Sequence, residues 1–324
     1  MVLPKKIDTH HHFVPPAFED ALNAAPGGDP SGWILPKWSP STSQSIMEEV
    51  GTKTAIFSVT APGPGIVKGA ASRDLARKIN TYGAQLRNQQ PERFGFFASV
   101  PDLWDDLTGA LGEIEHALDH LQADGIVLMT RYGDGNYYLG HEKFKKVWEL
   151  LDQRRAVVFI HPTHPADPTP VNSAIPAPLI DFPHETTRTA LDLILSNTKR
   201  EYSRCKVILS HSGGNLPWLS KRATLAASSV PNAKKPAKEI VEDAKSFYYD
   251  LALTDPNQLR LVLDFVPHEH LLFGSDFPYA PRHTVLSYSQ DVDGYQMDDG
   301  LREKVYFKNA LSLFPRLASS KAKF

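Results

Sequence analysis

The chain has 324 residues, 41% of them hydrophobic and 22% charged, which is typical of a globular protein that buries a sizeable core. Its formal net charge of -2 argues against a basic surface for nucleic acid or anionic lipid, and its single cysteine, Cys205, excludes an intrachain disulfide. No window has the eighteen or more apolar residues of a membrane span, and the first six residues lack the apolar core of a signal peptide. We therefore expect a cytoplasmic protein with no nucleic-acid or membrane partner.

Short apolar segments alternate with helical patterns along the whole chain. Strands are predicted near residues 5–9, 53–60, 93–100, 125–129, 156–161, 206–210, 246–252 and 270–275. Helices are predicted near residues 71–90, 104–122, 141–153, 185–199, 214–228, 235–245, 255–266 and 299–313. This alternation predicts an α/β fold, a (β/α)₈ TIM barrel, as one domain over residues 1–324. An open doubly wound sheet is the alternative, but the glycine-rich phosphate turn expected after its first strand is absent.

The segment between the first two predicted strands is long and rich in Pro, Gly and Ser, and it contains Trp33 and Trp38. Loops of this length are usually functional or disordered. We interpret it as a long insertion after strand 1 that forms an ordered lid over the barrel. A plain surface excursion is the alternative.

The first predicted strand leads into the run Asp8-Thr9-His10-His11-His12. Because side chains alternate faces along a strand, Asp8, His10 and His12 are expected to share one face. Two imidazoles at one strand end form half of a metal site, and Asp8 is expected to orient one of them. The alternative is a chance cluster or a purification tag, but a tag would be a longer run of histidines.

Further residues with metal or proton chemistry end or follow other predicted strands. His161 ends the fifth strand, His211 follows the sixth and Asp276 follows the eighth. In a barrel the carboxyl ends of the strands form one ring, and active sites lie there. His10, His12, His161, His211 and Asp276 are therefore expected to converge. Each one alone could be a hydrogen-bonded loop residue, but their shared position at strand ends favours a site.

These motifs resemble the amidohydrolase superfamily, in its branch of metal-dependent decarboxylases typified by 2-amino-3-carboxymuconate-6-semialdehyde decarboxylase. The resemblance covers essentially the whole chain, and the motifs that carry it lie at residues 7–12, 160–162, 210–214, 272–278 and 308–314. Within that branch the sequence is most similar to the fungal 6-methylsalicylate decarboxylases. The resemblance also implies a homodimer, in which the segment 181–188 lies near the subunit contact.

The resemblance implies a role for each converging residue. His10, His12, His161 and Asp276 are expected to hold one divalent ion, with Zn²⁺ as the first choice and Mn²⁺ as the alternative. His211 is then expected to handle a proton beside the metal. No organic cofactor is implied. A neighbouring subgroup has an acidic residue in place of the first histidine, and the presence of His10 argues against that subgroup.

The end of the fourth predicted strand gives a further indication. Binuclear amidohydrolases carry a carboxylated lysine at about this place, whereas this chain has Met129-Thr130-Arg131, which predicts a mononuclear site. Arg131 is a candidate for pairing with a substrate carboxylate, because a guanidinium matches that anion, and a surface arginine is the alternative. Three aromatic residues are predicted to flank a flat substrate ring, namely Phe13, Trp38 and Phe277.

We therefore expect non-oxidative decarboxylation of a small aromatic carboxylic acid, an ortho-hydroxybenzoate, with 6-methylsalicylate to 3-methylphenol as the first choice. A metal ion could chelate the carboxylate and the phenol oxygen while a proton reaches the ring carbon. Asp276 is favoured as the proton donor, and His211 as the group that polarises the phenol or water. The alternatives are metal-dependent hydrolysis of a lactone or amide, with His211 as base, and a catalytically silent metal-binding scaffold.

Overall fold

The protein is described by a computed structural model for residues 5–230 and 235–319. Its main sheet has eight strands: β1 (Lys6–His12), β2 (Thr52–Ser58), β3 (Phe94–Ala98), β4 (Gly125–Met129), β5 (Val157–His161), β6 (Lys206–Leu209), β7 (Tyr248–Asp250) and β8 (Leu271–Leu272). Each strand pairs in parallel with the next one along the chain. The two edges approach each other, because the amides of Thr9 and Asp276 donate to the carbonyl oxygens of Phe273 and His10 at 3.0 and 2.8 Å. The predicted (β/α)₈ barrel is confirmed.

Helices surround this barrel. They are α1 (Pro16–Ala24), α2 (Pro40–Val50), α3 (Ala70–Gln89), α4 (Leu107–Glu115), α5 (Lys145–Gln153), α6 (Asp181–Leu195), α7 (Thr198–Glu201), α8 (Leu216–Ala223), α9 (Ala226–Ser229), α10 (Ala237–Lys245), α11 (Pro256–Phe265), α12 (Arg282–Gly294), α13 (Asp299–Glu303), α14 (Asn309–Leu313) and α15 (Pro315–Ser319). A two-stranded hairpin, Arg131–Tyr132 with Tyr137–Tyr138, follows β4. None of the helices in the described ranges is long and apolar enough to cross a membrane.

The barrel interior is apolar below the strand ends, because the strands are covered on both faces. Phe159 and His161 share one face of β5, so the Phe159 ring lies one layer below the strand end. This ring is fully buried and lies 5.4 Å from the ring of Phe97 and 4.9 Å from the ring of His10. The core thus forms an apolar layer directly beneath the polar end of the barrel.

The segment between β1 and β2 differs from the expected long loop, because it contains α1 and α2. Helix α2 begins at a reciprocal cap between Ser39 and Thr42, has Pro40 in its first turn, and ends at Gly51 with a φ of 74°. Proline fits the first helical turn and glycine fits the left-handed end, so both residues that suggested a loop mark helix boundaries here. The irregular part is limited to residues 25–39. Helix α12, which directly follows Pro281, was also not predicted from the sequence.

Candidate metal centre and its cavity

Four side chains converge at the carboxyl end of the barrel. His10, His12, His161 and Asp276 are all buried, and one ligand atom from each lies within 4.8 Å of the others. His10 Nε2 lies 3.1 Å from His12 Nε2 and 3.3 Å from Asp276 Oδ1, and His12 Nε2 lies 3.1 Å from that same oxygen. The ligand atoms of a tetrahedral ion with bonds of about 2.0–2.1 Å lie about 3.3 Å apart. The three measured distances therefore match a single divalent ion, and His161 supplies a fourth donor within 4.8 Å of the others.

Each of the three imidazoles is oriented by a hydrogen bond on its far side. Because the partners are carbonyl or carboxylate oxygens, the Nδ1–H of each ring donates, and each Nε2 faces the cluster. Bonds of this kind fix both the tautomer and the direction of a metal-binding ring. The pairs are His10 with Asp250 (2.9 Å), His12 with the carbonyl of Ser58 (3.0 Å) and His161 with the carbonyl of Pro162 (2.7 Å).

Asp250, at the end of β7, is the carboxylate that orients His10, whereas Asp8 was expected to orient one of the ligand imidazoles. Asp8 Oδ2 instead lies 2.9 Å from Nδ1 of His11. The reason is an irregular register of β1 against β2 between Asp8 and His11, which disturbs the simple alternation of faces. Asp250 ends the observed strand β7 and lies within two residues of the end of the predicted strand 246–252, so the criterion that found the other site residues could also have found it.

Burial and neighbouring charges decide the protonation of the cluster. Burial, together with His12 and His10, holds the pKa of His161 well below its usual range. Burial alone would raise the pKa of Asp276, but its hydrogen bonds with His10 and His12 hold this pKa well below the ordinary value. Burial alone would lower the pKa of His10, but the carboxylates of Asp250 and Asp276 raise it to about 10. A divalent ion would replace the proton that His10 holds, so metal binding would be coupled to proton release.

His211 lies beside this cluster without completing it. Its ring is 4.7 Å from the ring of His10, and its Nε2 is 3.8 Å from Asp276 Oδ2. That buried Nε2 makes no hydrogen bond with any described residue. His211, Ser212 and Asp276 all have left-handed φ values, of 52°, 56° and 62°. Such conformations cost about 1–3 kcal/mol each, and they concentrate at functional sites because the surrounding structure must impose them.

A cavity of about 220 Å³ opens directly onto His161, His211 and Asp276. The amide of Ala177 donates to the carbonyl of Ser31 at 3.1 Å, which joins the two loops beside the cavity. Within residues 5–230 and 235–319, no lysine or arginine lines this cavity. The part of the β1–β2 segment that reaches the cavity is the irregular loop. Other side chains that line the cavity include Asp29, Trp33, Thr60, Leu179, Phe182 and Tyr279.

Two of the aromatic residues predicted to flank a substrate ring pack in the core or against it. The Phe13 side chain is fully buried and stacks on Phe57 at 5.4 Å, because the chain turns inward after β1. Trp38 packs edge-on against Phe57 and donates from its indole nitrogen to Ser43 Oγ at 2.8 Å. Phe277 packs 5.4 Å from the ring of His11 and does not line the cavity. The aromatic residues that do line it, and that replace these three as candidates, are Trp33, Phe182 and Tyr279.

Arg131 is also directed away from the metal cluster. It lines a second cavity of about 210 Å³. Its guanidinium donates to four main-chain carbonyl oxygens at 2.8–3.2 Å, those of Gly133, Gly135, His164 and Pro165. The Arg131 guanidinium therefore links two loops through its hydrogen bonds. We assign Arg131 this structural role in place of the predicted pairing with a substrate carboxylate.

The sequence matches the amidohydrolase family model from residue 7 to residue 316. The chain is 48% identical to the 6-methylsalicylic acid decarboxylase of Aspergillus aculeatus, with 98% of each protein covered. It is 46% identical over 318 residues to the 6-methylsalicylic acid decarboxylase of Penicillium expansum, with 96% of this chain and 97% of that protein covered. The chain belongs to the amidohydrolase family.

Solved structures share the same fold. A crystal structure of an amidohydrolase II superposes with a TM-score of 0.87 at 28% identity, covering 96% of this chain and 99% of the other. A dihydroxybenzoic acid decarboxylase from Polaromonas superposes with a TM-score of 0.78 at 22% identity, covering 97% of each chain. That second structure contains bound manganese and the inhibitor 2-nitroresorcinol.

Proposed function

We propose that this protein is a metal-dependent, non-oxidative decarboxylase that converts 6-methylsalicylate to 3-methylphenol and CO₂. The observation that carries the proposal is a buried set of three imidazoles and one carboxylate that opens, beside His211, onto a small cavity. The names of the two relatives at 46% and 48% identity support this substrate. Similarity of fold alone would not support a particular substrate, because one fold can carry many different reactions.

We propose that His10, His12, His161 and Asp276 hold one divalent ion. Three imidazoles and one carboxylate suit Zn²⁺ and also Mn²⁺, and the manganese of the Polaromonas structure supports the second. When bound, the ion supplies a Lewis acid that can take the carboxylate and phenol oxygens of one ortho-hydroxybenzoate together. No organic cofactor belongs to the proposal.

Asp276 and His211 are the residues that would move protons. In the reaction the ring carbon that bears the carboxylate gains a proton, and the electron pair of the breaking C–C bond returns to the ring as CO₂ leaves. Because the pKa of Asp276 is held low, its carboxylate must first receive a proton. His211 Nε2 has no other partner among the described residues, so it can exchange a proton with Asp276 or with the phenol. We assign the proton donor role to Asp276 and the polarisation of the phenol to His211.

The experiment that tests this function uses the metal-loaded protein with four acids: 6-methylsalicylate, salicylate, 3-hydroxybenzoate and 2-amino-3-carboxymuconate semialdehyde. We expect release of CO₂ and phenolic product from the two ortho-hydroxybenzoates only, because the others lack the adjacent pair of oxygens on an aromatic ring. Conversion of the semialdehyde alone, or equal rates on 3-hydroxybenzoate, would contradict the proposal. Ring opening of a lactone without CO₂ would indicate a hydrolase, and no turnover at all would indicate a scaffold.

We further propose a homodimer whose contact includes the start of α6. Large apolar side chains are exposed around this end of the barrel, among them Ile34 (86%), Leu179 (58%) and Trp218 (74%). Exposed apolar groups of this size, where they gather, mark interaction surfaces. Light scattering on the purified protein should give twice the chain mass, and Trp218→Glu should shift that mass toward the monomer.

A further inference from the structure

The hydroxyl of Tyr279 is a buried polar group that the proposed metal site does not use. Tyr279 is 8% exposed, and its ring packs edge-on against the His12 ring at 5.4 Å. It lines the same cavity as Asp276 and His211. Within the described ranges, four buried side-chain nitrogen or oxygen atoms make no hydrogen bond, and two of them, Tyr279 Oη and His211 Nε2, belong to residues that line this cavity.

An unpartnered buried hydroxyl is unfavourable, and buried tyrosines usually find a partner. Burial raises the pKa of Tyr279, so the hydroxyl keeps its proton and is available as a donor. Its position in a cavity, next to the residues that would bind metal, suggests that the missing partner arrives with a ligand.

The charges around the cavity indicate which ligand group this donor meets. A carboxylate has more acceptor positions than one metal ion takes, and no lysine or arginine of the described chain lines the cavity. A cation would bind the carboxylate most strongly before reaction, because negative charge leaves that group as CO₂ forms. A neutral hydroxyl can orient the carboxylate with less ground-state stabilisation, which favours turnover.

We propose that Tyr279 donates a hydrogen bond to the carboxylate of the substrate and thereby selects benzoates over uncharged phenols. The identity of the substrate rests on the proposed function, whereas the contact rests on the cavity itself. Tyr279 is then a specificity-determining residue that also lets the product, which has lost its carboxylate, leave readily.

The test is the variant Tyr279→Phe in the full, metal-loaded chain, with two ligands that divide the features of the substrate. 2-Methylbenzoate has the carboxylate without the phenol hydroxyl, and 3-methylphenol has the hydroxyl without the carboxylate. By titration calorimetry we expect the Kd of 2-methylbenzoate to rise about tenfold or more, as for loss of a hydrogen bond to a charged group. The Kd of 3-methylphenol should change less than about twofold, which is small against that loss.

A stability measurement separates this contact from a structural role. Removing a hydroxyl that has no protein partner should leave the melting temperature unchanged or raise it. Tyr249→Phe is the matched control, because Tyr249 Oη donates to the carbonyl of Ala244 at 2.6 Å outside the cavity. That control should melt lower and bind both ligands normally. A fall in Tm for Tyr279→Phe as large as in the control would mean that the hydroxyl has a protein partner, and the proposal would be wrong.

Other binding results would also overturn the proposal. They are an equal rise in Kd for both ligands in Tyr279→Phe, a rise for 3-methylphenol only, or no change in either Kd. Failure of the native protein to bind 2-methylbenzoate would also overturn it. CO₂ release by the native protein tests the proposed function separately. If Tyr279→Phe weakens binding of 2-methylbenzoate only, but the native protein releases no CO₂, the assignment of Tyr279 stands and the decarboxylase function is wrong. If the native protein releases CO₂ but the variant binds both ligands normally, the function stands and the assignment of Tyr279 is wrong.

Discussion

Two cavities of nearly equal volume, about 220 and 210 Å³, lie at the carboxyl end of the barrel, and their polar groups are paired differently. The first is lined by Tyr279 and His211, whose Oη and Nε2 make no hydrogen bond with a described residue, and it lies beside the candidate metal donors. In the second, Arg131 is held by four carbonyl oxygens and Lys68 pairs with Asp105 at 2.9 Å. Cavity size therefore does not distinguish the two regions, whereas the presence of unpartnered polar groups beside a cluster of candidate metal donors does.

The second cavity is not entirely free of unpaired groups, since Ser99 Oγ is buried there without a partner among the described residues. A single neutral hydroxyl differs from a cluster of ligand atoms, because it supplies one weak donor and cannot form a metal site alone. Ser99 is therefore a useful control for the variants that follow.

The largest expected effect comes from removing a metal donor. His161→Ala should lower the metal content from one ion per chain to nearly none and abolish decarboxylation, because three remaining donors leave the cluster incomplete. His164→Ala, three residues further on and facing the second cavity, should keep both its metal and its activity. Elemental analysis of the two purified variants checks this. Full occupancy in His161→Ala would remove His161 from the ligand set, and two ions in the native chain would contradict the mononuclear site.

The next effect separates proton transfer from metal binding. His211→Ala should keep its ion, because its Nε2 lies outside the donor cluster, and should lose about 10²–10⁴-fold in kcat. Ser99→Ala removes the unpartnered group of the second cavity and should leave kcat unchanged. Steady-state kinetics and elemental analysis measure kcat and metal content for both variants. If His211→Ala lost its metal, His211 would have to be counted as a ligand.

A smaller effect is expected one contact further from the ion. Asp250→Asn should weaken metal binding by about 10–100-fold, because the His10 ring loses the carboxylate that orients it and makes it a better donor. Competition with a chelator measures this affinity. Asp102→Asn is the control in the second cavity, where Asp102 accepts from the amide of Trp104 at 2.8 Å, and its metal affinity should not change. Equal weakening in both variants would point to a general loss of stability.

Convergence of the four metal donors could be predicted from the sequence because it depends only on strand order. His12 and His161 end their strands, His10 lies two residues before the end of β1, and Asp276 follows β8. A barrel brings these carboxyl ends together whatever the conformation of its loops. The expectation that Asp8 orients one of the ligand imidazoles was wrong, because the strand is irregular between Asp8 and His11 and Asp8 pairs with the His11 ring instead. A period-two argument cannot detect such a shift.

The lining of the cavity depended on long loops, which the sequence pattern does not position. Trp33 and Leu179 reach the cavity from two different loops, and a hydrogen bond between Ser31 and Ala177 joins those loops. Phe13 and Trp38 have the same aromatic character, but Phe13 belongs to the core and Trp38 packs against it. Residue type alone could not separate these two environments, because an aromatic ring suits a core and a ligand site equally well.

The smallest expected effect on activity is the one that most directly tests the comparison of the two cavities. Arg131→Lys should leave kcat and KM for 6-methylsalicylate within about twofold, a change small enough to exclude a lost contact with the substrate carboxylate. Its melting temperature should fall by roughly 3 °C or more, because one ammonium cannot reach the four carbonyl oxygens that the guanidinium joins.

Arg154→Lys is the matched control for that variant, since Arg154 pairs with Asp119 on the surface at 2.8 Å and should barely affect melting. A KM raised tenfold at an unchanged melting temperature would show instead that the Arg131 guanidinium reaches the substrate. The second cavity would then be part of the active site, and the pairing of polar groups would no longer separate the two regions. Unchanged kcat and KM with a lowered melting temperature would show that the buried Arg131 guanidinium stabilises the loops without contacting the substrate.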